Sequence, residues 1–126
     1  MSKFFHFSLP LTDGTLMTTV RLTVGGITAA AGLDVDEGED FKVCVTEALL
    51  IFKRNGFEEA SVRFDFLENG VSARILGNNF TQNTPSENFE DEISYALLGA
   101  LVDEVNFEKQ PDGRVNAITL IKQSVQ

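Results

Sequence analysis

The stretch Val43-Cys44-Val45-Thr46-Glu47-Ala48-Leu49-Leu50-Ile51-Phe52 is apolar around most of a helical circumference, with one carboxylate at its middle. A helix of that kind must be covered on several sides, so this segment is expected to be the buried central helix of the fold. Asp36 followed by Glu39 reads as its capping box, in which an N-cap oxygen and a glutamate three residues on satisfy each other's backbone N–H groups. Lys53-Arg54-Asn55-Gly56 reads as its end, with basic side chains at the negative pole of the helix and a glycine to leave it. Directly downstream the period changes from 3.6 to 2. Val62, Phe64 and Phe66 alternate with Arg63 and Asp65, Asn69-Gly70 supplies the expected tight turn, and Val71, Ala73 and Ile75 return, which predicts a β-hairpin.

Upstream, Phe5, Phe7 and Leu9 share one face and Phe4, His6 and Ser8 the other, a strand ended by Pro10. Asp13-Gly14 then opens a helix with Leu16, Val20, Val24, Ile27 and Ala31 on one side and Gly32 at its close. Gly25-Gly26 within it is expected to permit close packing against a neighbour. Downstream, the polar, asparagine-rich run from Gly77 to Thr84 reads as a loop, and Thr84-Pro85-Ser86-Glu87 as a capping box with proline at the first helical position. Phe89, Ile93, Leu97 and Leu101, with Ala96 and Ala100, are expected to form the inward stripe of a third helix. Val105 and Phe107, the Pro111-Asp112-Gly113 turn, and Val115 to Ile121 make a closing hairpin. The order is βααββαββ. Helices that separate a strand from hairpins imply an α/β (α+β) two-layer sandwich, a mixed, mainly antiparallel sheet covered on one face by three helices.

The chain has 126 residues, 43% of them hydrophobic and 23% charged, which suits one globular domain spanning residues 1–126. Ten Lys and Arg against nineteen Asp and Glu give a net charge of −9, which opposes binding to nucleic acid or to an anionic membrane. One cysteine excludes an internal disulfide, and one histidine excludes a His-rich metal site. The first residues lack a long apolar core and a small-residue cleavage site, and no apolar run is long enough to span a bilayer. A cytoplasmic location is expected.

Several segments together resemble the anti-sigma-factor serine kinases, which have the histidine-kinase-like ATPase (Bergerat, GHKL) fold. They are Val20-Arg21-Leu22 through Ala31-Gly32-Leu33, Glu39-Asp40-Phe41-Lys42-Val43-Cys44-Val45-Thr46-Glu47-Ala48, and Asn55-Gly56-Phe57, where that family has His-Gly-Tyr. Leu101-Val102-Asp103-Glu104-Val105 and the hairpin ending in Ile121-Lys122 resemble its last helix and closing strands. The similarity runs through essentially the whole chain in order. It implies a nucleotide site with ATP and magnesium as cofactors, a serine as phosphoryl acceptor, and protein partners such as a sigma factor, an anti-sigma antagonist or a second copy of the chain.

The family's site has three signatures, and this sequence departs from each. A Glu and an Asn one turn apart on the central helix serve proton transfer and Mg²⁺ ligation; here Glu47 stands at the first position and Ile51 at the second, and an isoleucine offers the metal no oxygen. An Asp with spaced glycines reads adenine; the matching stretch is Gly77-Asn78-Asn79-Phe80, with Asn78 nearest that Asp. A glycine-rich turn at the start of the last helix holds phosphates; the aligned stretch here is Glu92-Ile93-Ser94, with no glycine and with Glu87, Glu90 and Asp91 upstream, and carboxylates satisfy the same helix pole that a phosphate would.

The resemblance and these departures predict a non-catalytic relative that acts as a regulatory protein-binding module without a cofactor. The alternatives are an active serine kinase, with Glu47 as base and Asn78 reading adenine, and a binder of another small ligand in the vestigial pocket between the central helix and the Gly77 to Ser86 loop. The acidic run from Glu87 to Glu92 reads first as a solvated helix start. Cys44 is expected to be a small core hydrophobe and His6 a half-exposed packing residue. Phe4 is expected to be exposed and to mark a homodimer interface if its face of the first strand is uncovered.

Overall fold

A computed structural model describes residues 3–80 and 89–124. Strand β1 (Phe4–Pro10) leads to helices α1 (Leu16–Ala30) and α2 (Val35–Arg54), then to the hairpin β2 (Phe57–Leu67) and β3 (Gly70–Phe80). Helix α3 (Phe89–Leu101) and the hairpin β4 (Glu104–Lys109) and β5 (Val115–Gln123) complete the chain. The strands form one sheet in the order β1-β2-β3-β5-β4, and every pairing is antiparallel. The expected element order and the two-layer sandwich are both present.

The registers explain which side of the sheet the helices cover. Phe7, Val62, Ile75 and Ile118 lie across from one another on successive strands, as do Phe64, Ala73 and Leu120. Period 2 then sends their neighbours His6, Arg63, Arg74 and Thr119 to the other face. α2 lies against β2, β3 and β5 on one side and against α1 and α3 on others. Its Phe41, Leu49, Ile51 and Phe52 are fully buried, each worth on the order of 2 kcal/mol in removed apolar surface. α1 closes in a Schellman turn: Gly32 has φ 83°, its N–H donates to the Ala29 carbonyl, and the Leu33 N–H donates to that of Thr28.

Local details differ from the sequence expectation. The α2 capping box is Asp34 with Glu37, two residues before the expected Asp36 and Glu39. The Asp34 carboxylate accepts the Glu37 N–H at 2.7 Å, and the Glu37 carboxylate accepts the Asp34 N–H at 2.8 Å. Both pairs have the right spacing, and the Schellman turn of α1 decides between them by delivering the chain to position 34. In the first hairpin Leu67 pairs with Gly70, so Glu68-Asn69 forms the turn. Gly70 is needed for another reason: a Cβ there would lie 2.3 Å from the Lys122 carbonyl oxygen on β5. Gly77 to Phe80 extends β3 and is not loop; a Cβ at Gly77 would meet the Phe57 ring at 2.8 Å, so the strand continues under an aromatic residue. Gly25 and Gly26 carry no tight contact, and the close approach of α1 to α2 falls at Gly38, whose Cβ would lie 3.0 Å from Thr28 Oγ1. The Thr84-Pro85-Ser86-Glu87 pattern lies outside the described residues.

Asp34→Ala should lower stability by about 1 kcal/mol, whereas Asp36→Ala should stay within about 0.5 kcal/mol. Urea midpoints at unchanged slope measure both, and the opposite ranking would restore Asp36 as the cap.

Candidate functional site

α2 sets Glu47 and Ile51 one turn apart, as the spacing requires, yet gives them different surroundings. Ile51 is fully buried within the hydrophobic core, and its carbonyl accepts from the Asn55 backbone N–H at 3.0 Å and from Asn55 Nδ2 at 2.8 Å. Glu47 is half-buried at the edge of that core, where its Oε2 accepts a hydrogen bond from Ser94 Oγ at 2.9 Å.

Ser94 reaches Glu47 because α3 is rotated away from part of its expected stripe, although Leu97 is half-buried and Leu101 packs against the core as expected. Ile93 is 54% exposed, and Ala96 and Ala100 are exposed, whereas Asp91, Ser94 and Leu98 are buried. The expected inward stripe therefore faces outward at those positions, and the side chain of Phe89 lies outside the described residues. Polar partners on α2 compensate for the inversion. Arg54 Nε donates to Asp91 Oδ1 at 2.7 Å, Arg54 Nη2 donates to Ser94 Oγ at 2.8 Å, and Asn55 Nδ2 donates to Asp91 Oδ2 at 2.9 Å. Asp91 is 4% exposed, so it is not part of a solvated acidic helix start; Glu92 is exposed, and the Glu87 and Glu90 side chains lie outside the described residues. A buried carboxylate needs such a set of donors, since desolvation without them is prohibitive.

Asn78 is exposed near the end of β3, opposite Glu59, and takes no part in the Glu47 cluster. Its neighbour Asn79 has φ 55° and donates through Nδ2 to Glu59 at 3.2 Å. Phe4 is 51% exposed on the uncovered sheet face, stacked on His6 with ring centroids 6.2 Å apart, and the Arg63 guanidinium sits 4.2 Å from its ring centre. Arg63–Asp65 and Arg74–Glu108 ion pairs share that face, so the apolar patch around Phe4 is narrow. His6 is exposed. Burial pushes the Cys44 thiol up to about 12, with the Asp40 carboxylate adding to the shift, which suits a core residue.

Arg54, Asn55, Asp91 and Ser94 were not singled out as a group in the sequence. Their signal is a buried-face spacing of three between Asp91 and Ser94, which resembles any polar helix start until α2 supplies the cations. Arg114 was also missed; it is fully buried, donates from Nη1 to Asp112 at 3.1 Å, and lies 5.8 Å from the Phe57 ring centre.

Three helices on one face of an antiparallel sheet in the order βααββαββ are compatible with the histidine-kinase-like ATPase class of α+β sandwich. The chain is similar to the serine-protein kinase RsbW of Staphylococcus aureus, 26% identical over an alignment of 127 residues that covers 84% of this chain and 80% of that protein. The resemblance to the anti-sigma-factor serine kinases thus extends over most of the chain. No protein-family model matches it.

An oxygen-bearing side chain at position 51 should damage the fold. Ile51→Asn places an amide in an apolar core and is expected to lower stability by about 3 kcal/mol. A urea midpoint equal to that of the parent would show that position 51 opens to solvent.

Proposed function

We propose that this chain is a non-catalytic relative of the anti-sigma-factor serine kinases, a cytoplasmic regulator that binds a protein partner without a nucleotide cofactor. The observation that carries this reading is the full burial of Ile51, one turn from Glu47, where the resemblance calls for a magnesium ligand. Three further features support it. Glu47 is engaged by the Ser94 hydroxyl, the start of α3 turns Asp91 and Ser94 toward α2, and Asn78 stands apart from both. These residues argue against a bound magnesium nucleotide: the side chain one turn from Glu47 is Ile51, which offers the metal no oxygen, and the Asp91 carboxylate is taken up by Arg54 and Asn55. No helix among the described residues is long and apolar enough to cross a membrane.

The partner class is inferred from the resemblance: a sigma factor or an anti-sigma antagonist. A second copy of the chain is the other candidate, and the exposed Phe4 face of the sheet is the surface offered for it. The similarity to a serine-protein kinase of Staphylococcus aureus favours a second reading, an active serine kinase that uses Glu47 as base and Asn78 to read adenine.

Thermal melts in millimolar MgATP and MgADP separate the two readings. A ligand at one hundred times its dissociation constant stabilises by about 2.7 kcal/mol, a shift of several degrees. No shift is expected. A shift lost in Glu47→Ala and Asn78→Ala would overturn the cofactor-free reading. Size-exclusion chromatography with light scattering, on the chain alone and with a sigma factor or antagonist from its own source, should give a complex in the absence of nucleotide. Failure to bind either class leaves the regulatory reading without support.

A further inference from the structure

We infer that Arg54, Asp91, Ser94 and Glu47 form a latch that pins the N-terminal half of α3 onto α2 and can release that half without unfolding the rest of the domain. This inference rests on the packing of α2 against α3 and holds whether or not nucleotide binds.

The two halves of α3 are held by different physics. At the C-terminal end Leu98 and Val102 are buried in the core, Tyr95 packs edge-on against Phe107 with ring centroids 4.9 Å apart, and Lys122 Nζ donates to the Leu101 carbonyl at 2.8 Å. The Asp103 N–H then donates to the Ile121 carbonyl at 2.9 Å, and the Asp103 carboxylate accepts the Gln123 N–H at 2.6 Å, so this end is stitched to β5. Among the described side chains at the N-terminal end, Asp91 and Ser94 are buried and the apolar Ile93 points to solvent. The described contacts that hold this end are polar: a guanidinium, a carboxamide and a carboxylate on α2 facing a carboxylate and a hydroxyl on α3.

Such a cluster is directional and all-or-none. Arg54 bridges Asp91 and Ser94, and the Ser94 hydroxyl donates a hydrogen bond to the Glu47 carboxylate, so loss of one member loosens the others. When the cluster parts, Arg54, Asp91, Ser94 and Glu47 are solvated by water. Opening at the other end would expose Leu98 and Val102. The fold therefore contains a pivot and a polar catch on the same helix. Release would bare Glu47 and the adjoining side of α2 and would carry Ile93 with the moving end. A partner that binds the bared surface would select the released position.

Amide hydrogen exchange read by mass spectrometry on the full chain tests this. Ser94→Ala should speed exchange of the amides of residues 91–97 by about tenfold, the loss of one buried hydrogen-bonded link, with β2, β3 and β5 unchanged. Glu47→Gln keeps an acceptor for Ser94 and should retain parental protection. Arg54→Gln with Asp91→Asn removes both charges together, leaves no ion buried alone, and should reproduce the local release if either single change fails to fold. Unchanged exchange at residues 91–97 in the Ser94→Ala protein, or exchange that rises equally in the sheet, would overturn the inference.

Discussion

The domain depends on one helix being buried on most of its circumference. α2 has the sheet on one side, α1 on another and α3 on a third, so its side chains cannot be chosen independently. Phe41, Val45, Leu49 and Phe52 build the core with the inward residues of β2, β3 and β5. Gly38 allows α1 to approach, with Thr28 Oγ1 only 3.0 Å from where a Cβ would stand. What remains for chemistry or regulation is the strip of α2 that faces α3, and it holds Glu47, Arg54 and Asn55.

That strip accounts for the functional reading. In a site for a magnesium nucleotide the strip would present oxygen ligands and leave room for phosphates. Here Ile51 has joined the core, and the polar groups beside it are paired with α3. A buried ion pair adds little net stability over apolar packing, because desolvation offsets much of the Coulombic gain. Its effect is geometric, since hydrogen bonds to Arg54 and Asn55 fix the rotation of α3 about its own axis. The relationship to a serine-protein kinase is thus combined with a helix interface in which the side chains of the candidate site bind one another.

Much of the fold was legible in the sequence. Period 2 in Val62 to Phe66 and Val71 to Ile75 located the central hairpin, and the apolar run Val43 to Phe52 identified the buried helix, because burial on a particular face leaves a repeat that can be counted. Gly32 marked the end of α1 because its positive φ is a local requirement. Errors arose where two local readings were equally good or where the cause lay far along the chain. Asp34–Glu37 and Asp36–Glu39 both satisfy the capping spacing. Gly70 looked like a turn residue, whereas β5, some fifty positions away, demands its lack of a side chain. Asn78 and Asn79 argued for a loop on composition, yet β2 pairs Glu59 with Asn78 and Phe57 with Phe80 on either side of Asn79.

Of the candidate site, the sequence by itself determined the residue types: Glu47 with Ile51 four positions on, no glycine in Glu92-Ile93-Ser94, and an asparagine at position 78. The rotation of α3 was decided only in the tertiary structure. Its apolar periodicity favoured burying Ile93, and a count of hydrophobic residues can see nothing else. The observed choice places Asp91 and Ser94 inside, because Arg54 and Asn55 meet them there from a helix nearly forty positions earlier. A buried carboxylate is acceptable only where donors already wait for it, and donors brought by another element leave no periodic trace in the segment that receives them.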